Sequence, residues 1–260
     1  LKNKDYLNYK EYILNKYPNC IFKKPDKYDY YINVTYYTKN LKLLKNDNKL
    51  NSSTYYYIFH DFNEESIKYN NIFYLTPLCK TNKWISADIL PFSNNKNIDY
   101  TQIPIFIVQG SINSRRRNYD LLIKILKYNY KYSYKILLLG RGKRIPKSLK
   151  KYYLEDKLIF KFNANFIDFH KEFTNIYGLL TLIDEKTHPQ YYTNKLTSSI
   201  NYAKSYKLKT LIDNKLQSIY NLNNTYIYEN NSENNSENNI IYQFGKLLKD
   251  YYLLAEKSLI

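Results

Sequence analysis

The stretch PIFIVQGSINSRRRNYDLLIKILK, residues 104–127, decides the fold. It opens with the apolar, β-branched run Ile105, Phe106, Ile107 and Val108 and breaks at Gln109-Gly110. It then crosses a polar loop with Arg115, Arg116 and Arg117, and ends with Leu121, Leu122, Ile125 and Leu126 at helical spacing. A short buried strand, a glycine turn and an amphipathic helix form the first half of a βαβ unit. Cations at such a junction, close to the positive end of a helix, suit a phosphate or another anion.

The pattern repeats downstream. Strands are expected over residues 134–139, 158–162, 177–183, 209–212 and 225–228. Helices are expected over residues 120–130, 146–153, 165–175, 194–206, 215–220 and 240–254. Alternation of this kind predicts a parallel sheet covered on both faces, with ligands beyond the carboxyl ends of the strands. Upstream the signal is thinner. Residues 7–17 have helical spacing, and strands are expected over 28–34, 54–59 (TYYYIF) and 72–75. Residues 92–97 read as a polar linker. This gives a short α/β unit over 1–98, a Rossmann-like unit over 99–243 and a closing helix over 244–260. The NNSE repeat within 229–239 has no apolar residue and reads as a surface loop.

With 260 residues, 44% of them hydrophobic and 18% aromatic, the chain can bury a substantial core. No run of 18 apolar residues is present, and residues 1–20 lack the apolar stretch of a signal peptide, so a cytoplasmic location is expected. Cys20 and Cys79 suggest neither a disulfide framework nor a metal site. The net charge of +17 raises nucleic acid as a partner. The lysines are spread along the whole chain, however, and nucleic-acid binding needs them gathered on one face. The chain begins at Leu1 and contains no Met, which reads as a fragment or a chain without its initiator.

The candidate site residues lie at strand ends. Gly110 and the arginine triplet follow the first strand of the regular region, and Gly140-Arg141-Gly142 follows the second. Lys195, Thr197 and Ser198 stand at a helix start after the fourth. Three of the five glycines fall at these tips, where backbone must turn sharply or approach a ligand. Guanidinium groups bind phosphate in bidentate fashion, whereas the hydroxyls at a helix start either cap it or donate to an anion. There is neither a G-x-x-x-x-G-K-[ST] loop nor a G-x-G-x-x-G fingerprint. His60, at the end of a strand, has the chemistry of a general base. His170, within FIDFH, reads as a packing or surface residue.

In the order of these motifs, residues from about 100 to 260 resemble the group-one, nucleotide-sugar-dependent glycosyltransferases of the GT-B architecture. The resemblance rests on Gly110, the Arg115–Arg117 loop, Leu139-Gly140-Arg141-Gly142, the FIDFH segment, and the helix and strand from Lys195 to Ile212. It implies a GT-B-like α/β protein with a Rossmann-like donor domain, a short acceptor-side domain and a last helix returning toward that domain. It implies a UDP- or GDP-sugar as donor and a hydroxyl of a glycan or protein as acceptor, with no permanently bound cofactor and no metal. The donor's diphosphate would be held by Arg115, Arg116, Arg117, Lys195 and Ser198, within a crevice formed with Gly110, Gly140, Arg141, Gly142 and Thr197. His60 would stand near the reacting centre.

The chain departs from the family where Pro189–Ala203 contains no carboxylate at the place of its glutamates; Asp184 or Glu185 would substitute only through a shifted loop. Leu208-Lys209 stands where the family has a small Gly-Pro step. A non-catalytic α/β binding or scaffold protein is therefore the alternative reading.

Overall fold

The computed structural model describes residues 55–75, 98–229 and 237–258, together with the main chain of 31–36 and the single residues Leu41, Leu50 and Leu78. The helix expected over 7–17 and the linker expected over 92–97 lie outside the described residues.

Two parallel sheets organise the chain. The smaller has three strands in the order β1 (Tyr31–Tyr36), β2 (Tyr55–Phe59) and β3 (Ile72–Tyr74). Tyr57, Phe59, Ile72 and Tyr74 are buried in its core with Leu41 and Leu50.

The larger sheet comprises β4 (Ile105–Gln109), β5 (Lys135–Gly140), β6 (Leu158–Phe162), β7 (Gly178–Leu180), β8 (Lys209–Asp213) and β9 (Thr225–Tyr228). Its order is β6-β5-β4-β7-β8-β9, with every pairing parallel. This is the doubly wound arrangement, in which the strand order reverses between β4 and β7. Both faces are covered, as an all-parallel sheet requires. Phe106, Val108, Ile136 and Leu138 point to one face, where they pack with α1 (Tyr119–Lys127) and α7 (Ile240–Ser258). Ile107, Leu137 and Leu139 point to the other, against Phe173 and against Ala203 of α5 (Ser198–Ser205).

Local chemistry fixes these elements. In α1 the buried positions 121, 122, 125 and 126 form one stripe, and the Asn118 side chain accepts from the amides of Asp120 (3.0 Å) and Leu121 (3.4 Å). In α7, Ile240, Phe244, Leu247, Leu248 and Tyr251 form a longer stripe that packs on the six-stranded sheet, and the Tyr251 hydroxyl donates to the carbonyls of Asp99 and Gln102. The buried face of the last helix belongs to the larger sheet.

The strand expected over 177–183 ends at Leu180, because Leu182 adopts φ 45° and turns the chain out of the sheet. A leucine in that region is strained by about 1–2 kcal/mol. Here it is fully buried, and its carbonyl accepts from the Asn118 amide at 2.8 Å. The helix expected over 194–206 begins only at Ser198. Residues just before it are drawn away: Asp61 and Lys195 form an antiparallel bridge, and the Phe62 amide donates to the Asn194 carbonyl at 2.8 Å. The smaller sheet's exit is thereby joined to the loop that feeds α5. A separate turn of helix, α4 (Gln190–Thr193), precedes that junction.

Candidate functional site

At the carboxyl ends of β4 and β5 the two following loops touch. Gly110 donates its amide to the Leu139 carbonyl (3.0 Å), and the Ile112 amide donates to the Arg141 carbonyl (2.8 Å). A Cβ on Gly140 would lie 1.7 Å from the Gly110 carbonyl oxygen, so the backbones approach as only glycine allows. Gly110 itself has φ +128°, a conformation that L side chains rarely adopt. Asn163, after β6, clamps Gly142 from both sides: its side chain donates to the Gly142 carbonyl (2.7 Å) and accepts from the Gly142 amide (3.3 Å).

These loops form one wall of a cavity of about 490 Å³. Gln109, Gly110, Ser111, Gly140 and Arg141 line it on the strand side, Asn163, Ala164, Phe166, Phe169 and His170 on another, and Ser198 and Tyr202 of α5 close it. The cavity sits where the carboxyl ends of the strands and the reversal of strand order place ligands in open α/β sheets.

The structure separates the arginine triplet. Arg115 and Arg116 are exposed, and Arg116 donates to the Tyr191 hydroxyl at 3.4 Å. Arg117 is 3% exposed. Its guanidinium donates to the Arg116 carbonyl (2.6 Å), the Ser199 hydroxyl (2.7 Å) and the Gln109 carbonyl, while Nε has no partner. No carboxylate pairs with it among the described residues. Burial disfavours its charge, although guanidinium stays protonated at neutral pH. It lies directly behind Gly110, where an added Cβ would come within 2.5 Å of Nη2.

The other expected residues fall into two places. Gly110, Gly140, Arg141 and Ser198 line the cavity, and Gly142 packs beside it against Phe162 and Ile112. Thr197 is buried at the N-cap position of α5, with no side-chain hydrogen bond to the helix. Lys195 belongs to the junction with Asp61, and His60 stands beside both. Burial lowers the His60 pKa, Asp61 opposes that and Lys195 adds to it, so the imidazole is neutral at neutral pH.

Asp184 is buried and fully engaged. It accepts from the Asn118 side chain (2.6 Å) and from the amide (2.9 Å) and hydroxyl (2.5 Å) of Thr187. Burial pushes its pKa up, but these hydrogen bonds outweigh it and hold the carboxyl below its ordinary value. Its role is to fix the loop after β7 to the start of α1, and no oxygen is turned to the cavity.

The aromatic wall has the weakest signature in the sequence. Phe166, Phe169 and His170 share a face of α3 (Phe166–Lys171), and the spacing of FIDFH is the only sign of it. His170 is buried, as a packing residue is, yet it lines the cavity. Its Nδ1 contacts the Tyr206 hydroxyl at 2.6 Å, and burial lowers its pKa to about 4. Since the folded-state pKa lies below the unfolded value near 6.5, its contribution to stability is complete above pH 6.5 and is lost as pH falls toward 4. Urea unfolding should find the protein less stable at pH 4.5 than at pH 7 by about 2 kcal/mol on account of this group, and His170→Gln should flatten the dependence.

The fold and this crevice define a doubly wound α/β protein with a ligand cavity at its topological switch point. No protein-family model matches the chain. No curated protein matches it either. Among solved structures, it is similar to WaaG, a glycosyltransferase involved in lipopolysaccharide biosynthesis. That alignment has 13% identity and a TM-score of 0.47, over 98% of this chain and 76% of the other. It is also similar to the apo form of the lipopolysaccharide outer core galactosyltransferase WaaB, with 13% identity and a TM-score of 0.47, over 99% of this chain and 80% of the other.

Proposed function

We propose that the protein is a GT-B-like glycosyltransferase whose larger domain takes a nucleotide-sugar donor and transfers the sugar to a hydroxyl acceptor. The observation that carries this reading is the cavity itself. It lies at the switch point, and two glycine loops bring bare backbone to its wall. A buried uncompensated guanidinium stands behind that wall and the exposed Arg141 in front of it. Such a site favours the diphosphate of a donor and, as the leaving group forms, the charge that develops on it. The aromatic side chains of Phe166, Phe169 and Tyr202 offer faces for a base. His60, kept neutral by burial, is assigned as the base that takes the proton from the acceptor hydroxyl.

The test is a thermal-shift series with UDP, GDP and their sugars. Saturation near 100 times Kd stabilises a folded protein by about 2.7 kcal/mol, which corresponds to a rise in Tm of roughly 5–10 °C for a chain of this size. Arg141→Ala should abolish most of that rise, and Arg115→Ala should leave it. No rise with any of these nucleotides would refute donor binding.

One observation favours a second reading, that of a binding protein without turnover. None of the cavity's lining residues carries a carboxylate, and Asp184 is held elsewhere. Release of free sugar from the nucleotide-sugar, or transfer to an added acceptor, separates the two: a binder gives the thermal shift and neither product.

A further inference from the structure

Between the glycine loop after β5 and the edge strand β6, the segment RGKRIPKSLKKYYL, residues 141–154, carries six cations and no carboxylate. A turn of 3-10 helix over Lys147–Leu149 runs directly into α2 (Lys150–Leu154). Leu149 and Tyr152 are buried and anchor this helical stretch to the core. Residues spaced i, i+3, i+4 and i+7 share a helix face. Lys147, Lys150, Lys151 and Leu154 therefore lie together on the opposite side, and all four are exposed.

Two properties set this face apart from an ordinary solvated surface. The first is its charge. The acids that follow it are already answered: Glu155 pairs with Lys151 at 3.6 Å and Lys157 at 3.7 Å, and Asp156 with Lys135 at 2.7 Å. Lys143, Arg144, Lys147 and Lys150 are exposed, and no carboxylate pairs with them among the described residues. The second is apolar. Leu154, on the same face as three lysines, is 74% exposed, the most of any large hydrophobic side chain among the described residues, and Tyr153 beside it is 46% exposed. Tyr153 packs edge-on against Phe160 with ring centroids 5.8 Å apart, and Phe160 stacks on Phe162 at 5.7 Å. The apolar surface thus continues onto β6.

An aliphatic side chain protruding among lysines is the arrangement of a helix that lies in a membrane interface. The tip enters the acyl boundary while the ammonium groups meet headgroup phosphates. Nucleic acid would call for ring faces among the cations, on which bases stack. Here the protruding group is aliphatic, and the exposed ring next to it is packed against Phe160. We infer that residues 143–154 form a docking surface for a bilayer rich in anionic phospholipid. Lys143, Arg144, Lys147 and Lys150 meet its phosphates, and Leu154 inserts between the headgroups. Arg141, which lines the switch-point cavity, begins the same segment, so docking would bring the rim of that cavity toward the bilayer. Nothing in the inference requires the cavity to bind a nucleotide.

The experiment sediments the full chain with vesicles of phosphatidylcholine alone and of equal parts phosphatidylcholine and phosphatidylglycerol. It compares the wild type with the double variant Lys147→Gln/Lys150→Gln, with Leu154→Ser, and with a control, Lys124→Gln/Lys127→Gln, that removes the same charge from exposed positions of α1. All these side chains are exposed, so each variant should unfold close to the wild-type temperature. Binding to the anionic vesicles and not to the neutral ones is expected. It should weaken about 20-fold in Lys147→Gln/Lys150→Gln, since each cation at the surface contributes about fivefold. Leu154→Ser should weaken it about fivefold or more, and the control by no more than about twofold. Absence of binding to anionic vesicles would overturn the inference. Equal losses in the two lysine variants would do the same, by assigning the binding to the net charge of +17 alone. Wild-type affinity in Leu154→Ser would show that nothing inserts. A single-stranded oligonucleotide that displaces the vesicles, and whose binding ignores Leu154→Ser, would make this a nucleic-acid surface instead.

Discussion

Gly140→Ala is expected to destabilise the protein by about 3 kcal/mol or more, with a fall in Tm of roughly 6–12 °C. The new methyl would stand 1.7 Å from the Gly110 carbonyl oxygen and 2.5 Å from its carbon. These are main-chain atoms, so no side-chain rotation relieves the clash. The loops after β4 and β5 would have to separate, breaking the hydrogen bonds Gly110–Leu139 and Ile112–Arg141 and widening the cavity wall. Any nucleotide-dependent thermal shift should disappear with them. Gly245→Ala provides the opposite sign within the same molecule. Its methyl would meet only the Tyr130 ring, at 3.4 Å, and it lies inside α7, where alanine is preferred to glycine by about 0.5–1 kcal/mol. A Tm that rises for Gly245→Ala and falls steeply for Gly140→Ala is the expected pair. Equal tolerance of both would show that the two loops do not touch as described.

Arg117→Met should weaken nucleoside diphosphate binding about 100-fold, or roughly 3 kcal/mol, although Arg117 does not line the cavity. A buried cation without a carboxylate partner acts through a low-dielectric interior, where its field is screened little by salt. Gly110, which lines the cavity, lies against the guanidinium: a Cβ there would come within 2.5 Å of Nη2. Stability should change by less than about 2 kcal/mol, because two effects oppose each other. Removing the charge relieves its desolvation, whereas the Gln109 and Arg116 carbonyls and the Ser199 hydroxyl lose a donor. Arg115→Ala, on the exposed part of the same loop, should leave affinity within about twofold of the wild type. Titration calorimetry with UDP at low and high salt checks both claims. Unchanged affinity in Arg117→Met would mean that the buried charge is not felt in the cavity.

The contrast within the triplet shows where the sequence stops being informative. Arg115, Arg116 and Arg117 are chemically identical and adjacent, and composition assigns them one role. The turn into α1 gives them different ones, because the Asn118 side chain caps the helix, the Asn118 amide is held by the Leu182 carbonyl, and that geometry directs Arg117 inward. The Leu182 conformation in turn comes from the loop after β7, more than sixty residues away. Lys195 behaves in the same manner. Its place before a helix suggests a phosphate ligand, and its main chain forms a bridge with Asp61 at the exit of β2, a pairing that no local signal announces.

By itself the sequence determined the alternation of strands and helices from residue 104 onward and the positions of the strand-end glycines. It did so because apolar periodicity and glycine punctuation are local properties that each segment carries with it. Which strands adjoin is not local. The order β6-β5-β4-β7-β8-β9 decides that the loops after β4 and β5 meet the start of α5, and so makes Gly110, Gly140, Arg141 and Ser198 one site. Only the tertiary structure could make that choice, because it rests on contacts between residues up to about ninety positions apart, and on which of three like charges had to be buried.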